Sequence, residues 1–158
     1  MVRGDPILAV AVALLVMACA GGPGPSHYAA VLDELAIPSD WELAKTEVRG
    51  PDGDVRCDPL VNAGCPAVVR YYLVDAAPIE VYVIAKKTVI DAGYEIQREF
   101  DSEACDAPPN APACALFAAK EADQIIVNIY NMGQDDDTGV AQANRVTVRM
   151  TADKAPTD

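Results

Sequence analysis

The side chains of this chain that could do chemistry are five cysteines, one histidine, three serines and an excess of carboxylates. His27 is the lone histidine, which leaves little room for Ser-His or Cys-His catalysis or for a His-rich metal site. Ser26, Ser39 and Ser102 do not stand in a Gly-x-Ser-x-Gly elbow, and no glycine loop of the phosphate-cradling kind is present. The carboxylates are numerous enough for a minimal two-carboxylate hydrolase, but no pair sits in an apolar stretch that would raise one pKa. Asp135, Asp136 and Asp137, and separately Asp52, Asp54 and Asp58, offer oxygen ligands for Ca²⁺. Neither group has the order of an EF-hand loop. Asp135–Asp137 is the weak metal candidate, and no cofactor is expected.

Cys57, Cys65, Cys105 and Cys114 make an even set, so Cys19 is the odd one and needs its own explanation. It follows the apolar run Pro6 to Met17, 12 residues that are too few to span a bilayer, which takes about 20. Arg3 precedes the run and small residues follow it, as in a secretory signal peptide. With Val16-Met17-Ala18-Cys19, the segment resembles a bacterial lipoprotein signal and its lipobox. The resemblance implies cleavage before Cys19, acylation of its thiol, and anchoring to the extracytoplasmic face of the cell membrane. Two acyl chains anchor stably where one is marginal. Ala18-Cys19-Ala20 also fits an ordinary signal-peptidase site after Ala20, which would remove Cys19 with the signal. The resemblance ends there; the domain behind it resembles no family.

The expected organisation is a signal over 1–18, a Gly/Pro tether over 19–25, one domain over 26–151 and a frayed tail over 152–158. Without residues 1–18 the chain keeps 11 basic residues against 23 acidic ones, a net charge of −12. So negative a body is ill suited to nucleic acid, whose binding rests on phosphate neutralisation. It is equally ill suited to lying on anionic lipid.

Apolar periodicity supplies the elements. Tyr28, Val31, Leu32 and Leu35 recur at helical spacing over about 27–36, with Ser26 as N-cap and Pro38 as the stop. Strands are expected over 41–49, 67–74, 94–100, 115–120, 124–131 and 144–151. A long helix is expected over 78–92, between Pro78 and Gly93, burying Ile79, Tyr82, Val83, Val89 and Ile90. The order predicts an α+β fold: a mostly antiparallel sheet, with the long helix on one face and a short N-terminal helix. The last two strands should be antiparallel neighbours. The other face should be open and more polar, carrying Arg70, Glu95, Glu99, Arg145 and Arg149.

Four cysteines in an exported domain read as two disulfides. Each of the pairs Cys57–Cys65 and Cys105–Cys114 brackets an irregular loop, so local bridges need no long-range assumption; the two cross-loop pairings stay open. Spacings of C-x7-C and C-x8-C are wide for a zinc knuckle, and neither pair is a redox C-x-x-C. Trp41, Arg70, Tyr72 and Tyr130 could form an aromatic-cationic contact surface, because Trp, Tyr and Arg dominate binding hot spots. The expectation is therefore a non-enzymatic, membrane-anchored envelope module that contacts another protein or a wall component. Small-ligand or Ca²⁺ binding at Asp135–Asp137 is the alternative, and a minimal carboxylate hydrolase the third.

Overall fold

The computed structural model describes residues 23–50, 65–101, 105, 113–131, 139 and 145–155. Eight elements follow one another: α1 (Pro25–Asp33), β1 (Glu42–Arg49), β2 (Ala67–Val74), α2 (Pro78–Asp91), β3 (Glu95–Asp101), β4 (Cys114–Lys120), β5 (Asp123–Tyr130) and β6 (Val146–Lys154). The fold is α+β, with a six-stranded sheet of order β1-β2-β6-β5-β4-β3 in which every pairing is antiparallel. Strands β3 to β6 form a meander. The C-terminal strand β6 then inserts between β5 and β2, so the centre of the sheet is closed by the last element. The expected pairing of the last two strands is present.

Both helices lie on one face, α1 against β2 and β6, α2 against β4 and β5. Alternation along the strands fills the space beneath them. Val68, Tyr72 and Val74 of β2 meet Val146, Val148, Met150 and Ala152 of β6, then Ile125, Val127 and Ile129 of β5. Tyr28, Val31 and Leu32 of α1 and Val81, Tyr82, Ala85 and Val89 of α2 close the core. A fully buried Val, Ile or Met contributes roughly 1.5–3 kcal/mol, and most inward positions of β2, β5 and β6 are such residues.

Four expectations are corrected. α1 starts at Pro25 with Gly24 as N-cap and without a side-chain cap bond; Ser26 is inside it, because proline's fixed φ suits the first turn. α2 buries Val81, Tyr82, Ala85, Thr88 and Val89, and leaves Ile79, Val83, Ile84 and Ile90 exposed. The run Val81-Tyr82-Val83-Ile84 is apolar on every side, and the small Ala85 marks the face that can approach the sheet. In β3 a bulge between Ile96 and Arg98 reverses the alternation, so Ile96 packs under the helices while Phe100 is 46% exposed on the far side. Residues 152–154 belong to β6 rather than to a frayed tail: Ala152 pairs with Val68 and Ile125 and is fully buried.

The edge strands β1 and β3 each carry a bulge, a feature that discourages edge-to-edge association. Gly50 ends β1 at φ +78°, and a Cβ there would stand 2.9 Å from the Pro66 backbone. Only glycine lets the chain pass this close to the start of β2.

Candidate binding cavity on the helix-free sheet face

Register decides which polar residues meet on the face that neither helix covers. Asp153 of β6 is flanked by Ala67 of β2 and Gln124 of β5, and Ala67 by Arg49 of β1. Two residues along, Thr151 lies beside Ile126; two further, Arg149 lies beside Asn128. These side chains, with Cys65 just before β2, line a cavity of about 130 Å³. That volume corresponds to roughly four waters.

The electrostatics of the cavity are uneven. Asp153 Oδ1 and Arg149 Nε are both buried without a hydrogen-bond partner. Burial pushes the Asp153 carboxyl up to about 6, since removing it from water penalises the charged form. Among the described residues no cation relieves this. Arg49 stands on the rim and is taken by Glu47, Nη2 to Oε2 3.0 Å. Glu47 also accepts from Lys45, at 2.7 Å, and from the Tyr71 hydroxyl at 3.3 Å. The hydrogen bonds from Lys45 and Arg49 hold its carboxyl down at about 2. One end of the cavity thus offers a desolvated acceptor and the other a guanidinium donor, with Asn128 beside the donor and Thr151 between the two ends.

A second cavity, about 110 Å³, lies along α1 among His27, Glu34, Tyr94, Lys120, Glu121 and Asp123. His27 Nε2 is 2.7 Å from Asp123 Oδ1, which ties α1 to the start of β5. Lys120 donates to the Ala92 carbonyl at 3.0 Å. Burial, then the nearby Asp123 carboxylate, push the Tyr28 and Tyr94 phenols up to about 12. Protonated phenols and tied-down charges suit a structural role. Among the described residues, no group of three or more His, Cys, Asp or Glu could hold a metal ion.

The residues singled out in the sequence are dispersed. Trp41 and Tyr72, each 5% exposed, pack 6.1 Å apart beneath α1. Arg70 is on the same side, and its Nη2 reaches Asp33 Oδ1 at 2.5 Å and the Ala29 carbonyl at 3.5 Å, clamping α1 onto β2. Tyr130, 8% exposed, is on the opposite face, paired with Thr147. These four therefore make no common contact surface; α1 covers the side on which three of them lie. Glu99 likewise belongs to the helix side, accepting from the Tyr82 hydroxyl at 2.6 Å and pairing with Lys86 at 2.7 Å. Arg145 lies just before β6 and binds Glu42 at 2.5 Å and the Leu73 carbonyl at 2.7 Å. Of the charges assigned to the open face, Arg149 is the one that meets the cavity. That face is also less open than expected: Val69, Tyr71, Leu73 and Thr147 are all buried.

The Cys105–Cys114 disulfide is present, with Cα atoms 5.1 Å apart, and joins the start of β4 to the segment after β3. Cys65 is disulfide-bonded; Cys57, its expected partner, lies outside the described residues, as do Cys19 and Asp135–Asp137. Among the described residues no helix is long and apolar enough to cross a membrane. Sequence reasoning missed Asp153 by placing it in a tail. The signal was there: the inward alternation Val146, Val148, Met150 continues to Ala152.

No protein-family model matches the chain, and neither does any curated protein or solved structure.

Proposed function

We propose that this chain is a membrane-anchored extracytoplasmic lipoprotein, held by acyl chains on Cys19, that works as a non-enzymatic binding module through its helix-free sheet face. The observation that carries the binding half is the cavity at Asp153 and Arg149, where two buried polar atoms have no hydrogen-bond partner among the described residues. Folds rarely leave such groups unsatisfied, and each exception calls for an explanation. An external ligand supplies one. The lipobox supports the anchor, and a disulfide-bonded Cys105–Cys114 pair fits an oxidising compartment.

An envelope protein or wall component is the proposed occupant of this face. Hydrolysis by paired carboxylates draws less support, because Asp153 is the one carboxylate among the described residues that line the cavity. Two measurements test the reading. Intact mass of native protein should show diacylglycerol and acyl additions on a chain that begins at Cys19; an unmodified chain that begins elsewhere refutes the anchor. A photo-crosslinking residue in place of Arg49, on the cavity rim, should capture an envelope component in living cells, and the same residue in place of Lys87 on α2 should not. Equal capture at both positions refutes the assignment of the face.

A further inference from the structure

Resting on the binding role of this face, we infer that the cavity takes a small amphoteric group, with an ammonium on Asp153 and a carboxylate on Arg149 and Asn128. The argument is one of unmet valence at two points a fixed distance apart. Among the described residues nothing donates to the buried Asp153 Oδ1, and loss of water is the one influence that acts on its carboxyl. A buried carboxylate in that condition is costly, and an ammonium that enters with its own charge and three N–H donors removes the cost. The Arg49 guanidinium, the other cation on the rim, is engaged by Glu47. At the opposite end the Arg149 Nε donor is also buried and unmatched, with the Asn128 amide beside it in register. A carboxylate is the group that a guanidinium and an amide hold together.

The spacing and volume narrow the class further. Arg149 and Asp153 are four residues apart on one strand, about 13 Å between Cα atoms at the usual rise. The ligand's two charges must therefore stand several ångströms apart. An α-amino acid holds them too close; an ω-amino acid or the end of a lysine-terminated peptide does not. The volume, about 130 Å³, is slightly below that of a cavity that takes six ring carbons. It therefore fits a group of roughly that size and excludes a folded domain. Thr151 between the two ends adds a hydroxyl that can serve either.

The probes are glycine, β-alanine, γ-aminobutyrate, acetate, methylammonium and a pentapeptide ending in lysine, each titrated into the disulfide-intact, lipid-free chain from residue 20 at pH 7.5. Binding is followed by amide chemical shifts of Asn128, Thr151 and Asp153. Saturable binding should strengthen at least tenfold from glycine to γ-aminobutyrate. Acetate and methylammonium alone should each bind at least tenfold more weakly than γ-aminobutyrate. Asp153→Asn and Arg149→Gln should each remove at least nine-tenths of the γ-aminobutyrate affinity, with the far-UV spectrum unchanged. Tighter binding of the free amino acid identifies a soluble metabolite as the source, and tighter binding of the peptide identifies the end of an envelope chain; either agrees with the inference. It is overturned if no probe saturates on folded protein, if acetate or methylammonium matches γ-aminobutyrate, or if Asp153→Asn binds as well as the native chain. The envelope crosslink from position 49 reads the broader role independently: capture without any amphoteric binding overturns this inference alone.

Discussion

Replacing Asp153 with asparagine should stabilise the protein at pH 7.5 and change little at pH 4. The carboxyl is raised from 3.8 to about 6 by burial on the helix-free face. Because the folded state holds this proton more tightly than the unfolded chain, the native protein is most stable where both forms are protonated, below about 3.8. Stability then falls as the pH rises towards about 6, and stays at the lower level above it. The gap from 3.8 to about 6 corresponds to about 3 kcal/mol at 1.36 kcal/mol per pH unit. The side chain is only partly buried, and solvent screening reduces this to about 1–2 kcal/mol. Asparagine cannot ionise, so it removes that cost. Among the described residues Ala67 and Gln124, which do not titrate, flank it on the neighbouring strands, and the Tyr28 phenol that senses it is itself raised to about 12. For a domain of this size the gain is about 3–8 °C in Tm. Thermal melts of both forms at half-unit steps from pH 3.5 to 8 would follow it. A variant no more stable than the native protein at pH 7.5, or a difference that grows towards pH 4, refutes the reasoning.

Other perturbations separate the remaining forces. Removing the disulfide with the pair Cys105→Ala and Cys114→Ala should cost about 2.6 kcal/mol, from the entropy returned to an unfolded loop of nine residues' separation, measured by urea unfolding at constant slope. Gly50→Ala should cost about 2–3 kcal/mol, because left-handed backbone and a 2.9 Å approach to Pro66 act together. Gly93→Ala, at φ +85° with Lys120 Nζ no nearer than 3.7 Å, should cost about 1–2 kcal/mol in the same assay. In alkali, Tyr28 and Tyr94 keep their protons in the fold up to about 12, so stability should fall as the pH rises from 10 to 12. Absorbance at 295 nm should show these two phenols ionising only as the pH approaches 12, and Tyr28→Phe should remove one such step.

The local part of the fold was legible because it is written in short-range pattern. Alternation marked β2, β5 and β6, and proline and glycine bracketed α2. The pattern failed where several faces were equally apolar, or where alternation broke. In α2 the run Val81-Tyr82-Val83-Ile84 could present any side, and only the approach of Ala85 to the sheet decides among them. In β3 one inserted residue at the bulge moved Phe100 to the far face, against Phe117, with centroids 5.9 Å apart. The pairing of β2 with β6 joins segments more than 70 residues apart, and nothing local encodes it.

The candidate site was hidden by that same long-range pairing. Arg149 was visible as an outward-facing strand charge, but its neighbours are contributed by β1, β2 and β5, and they converge only once β6 is inserted between β2 and β5. Asp153 illustrates the point most sharply. At the end of a strand, near the chain's terminus, an aspartate is ordinarily a solvated charge. Here β6 is the central strand, so both of its sides are occupied, by Ala67 and Gln124, and its last residues are shielded as an edge strand's would not be. Centrality in the sheet therefore turns an ordinary surface carboxylate into a desolvated one. A sheet closed instead by β1 or β3 would have left the same Arg-x-Thr-x-Asp segment in water, with no unmet valence to offer a ligand.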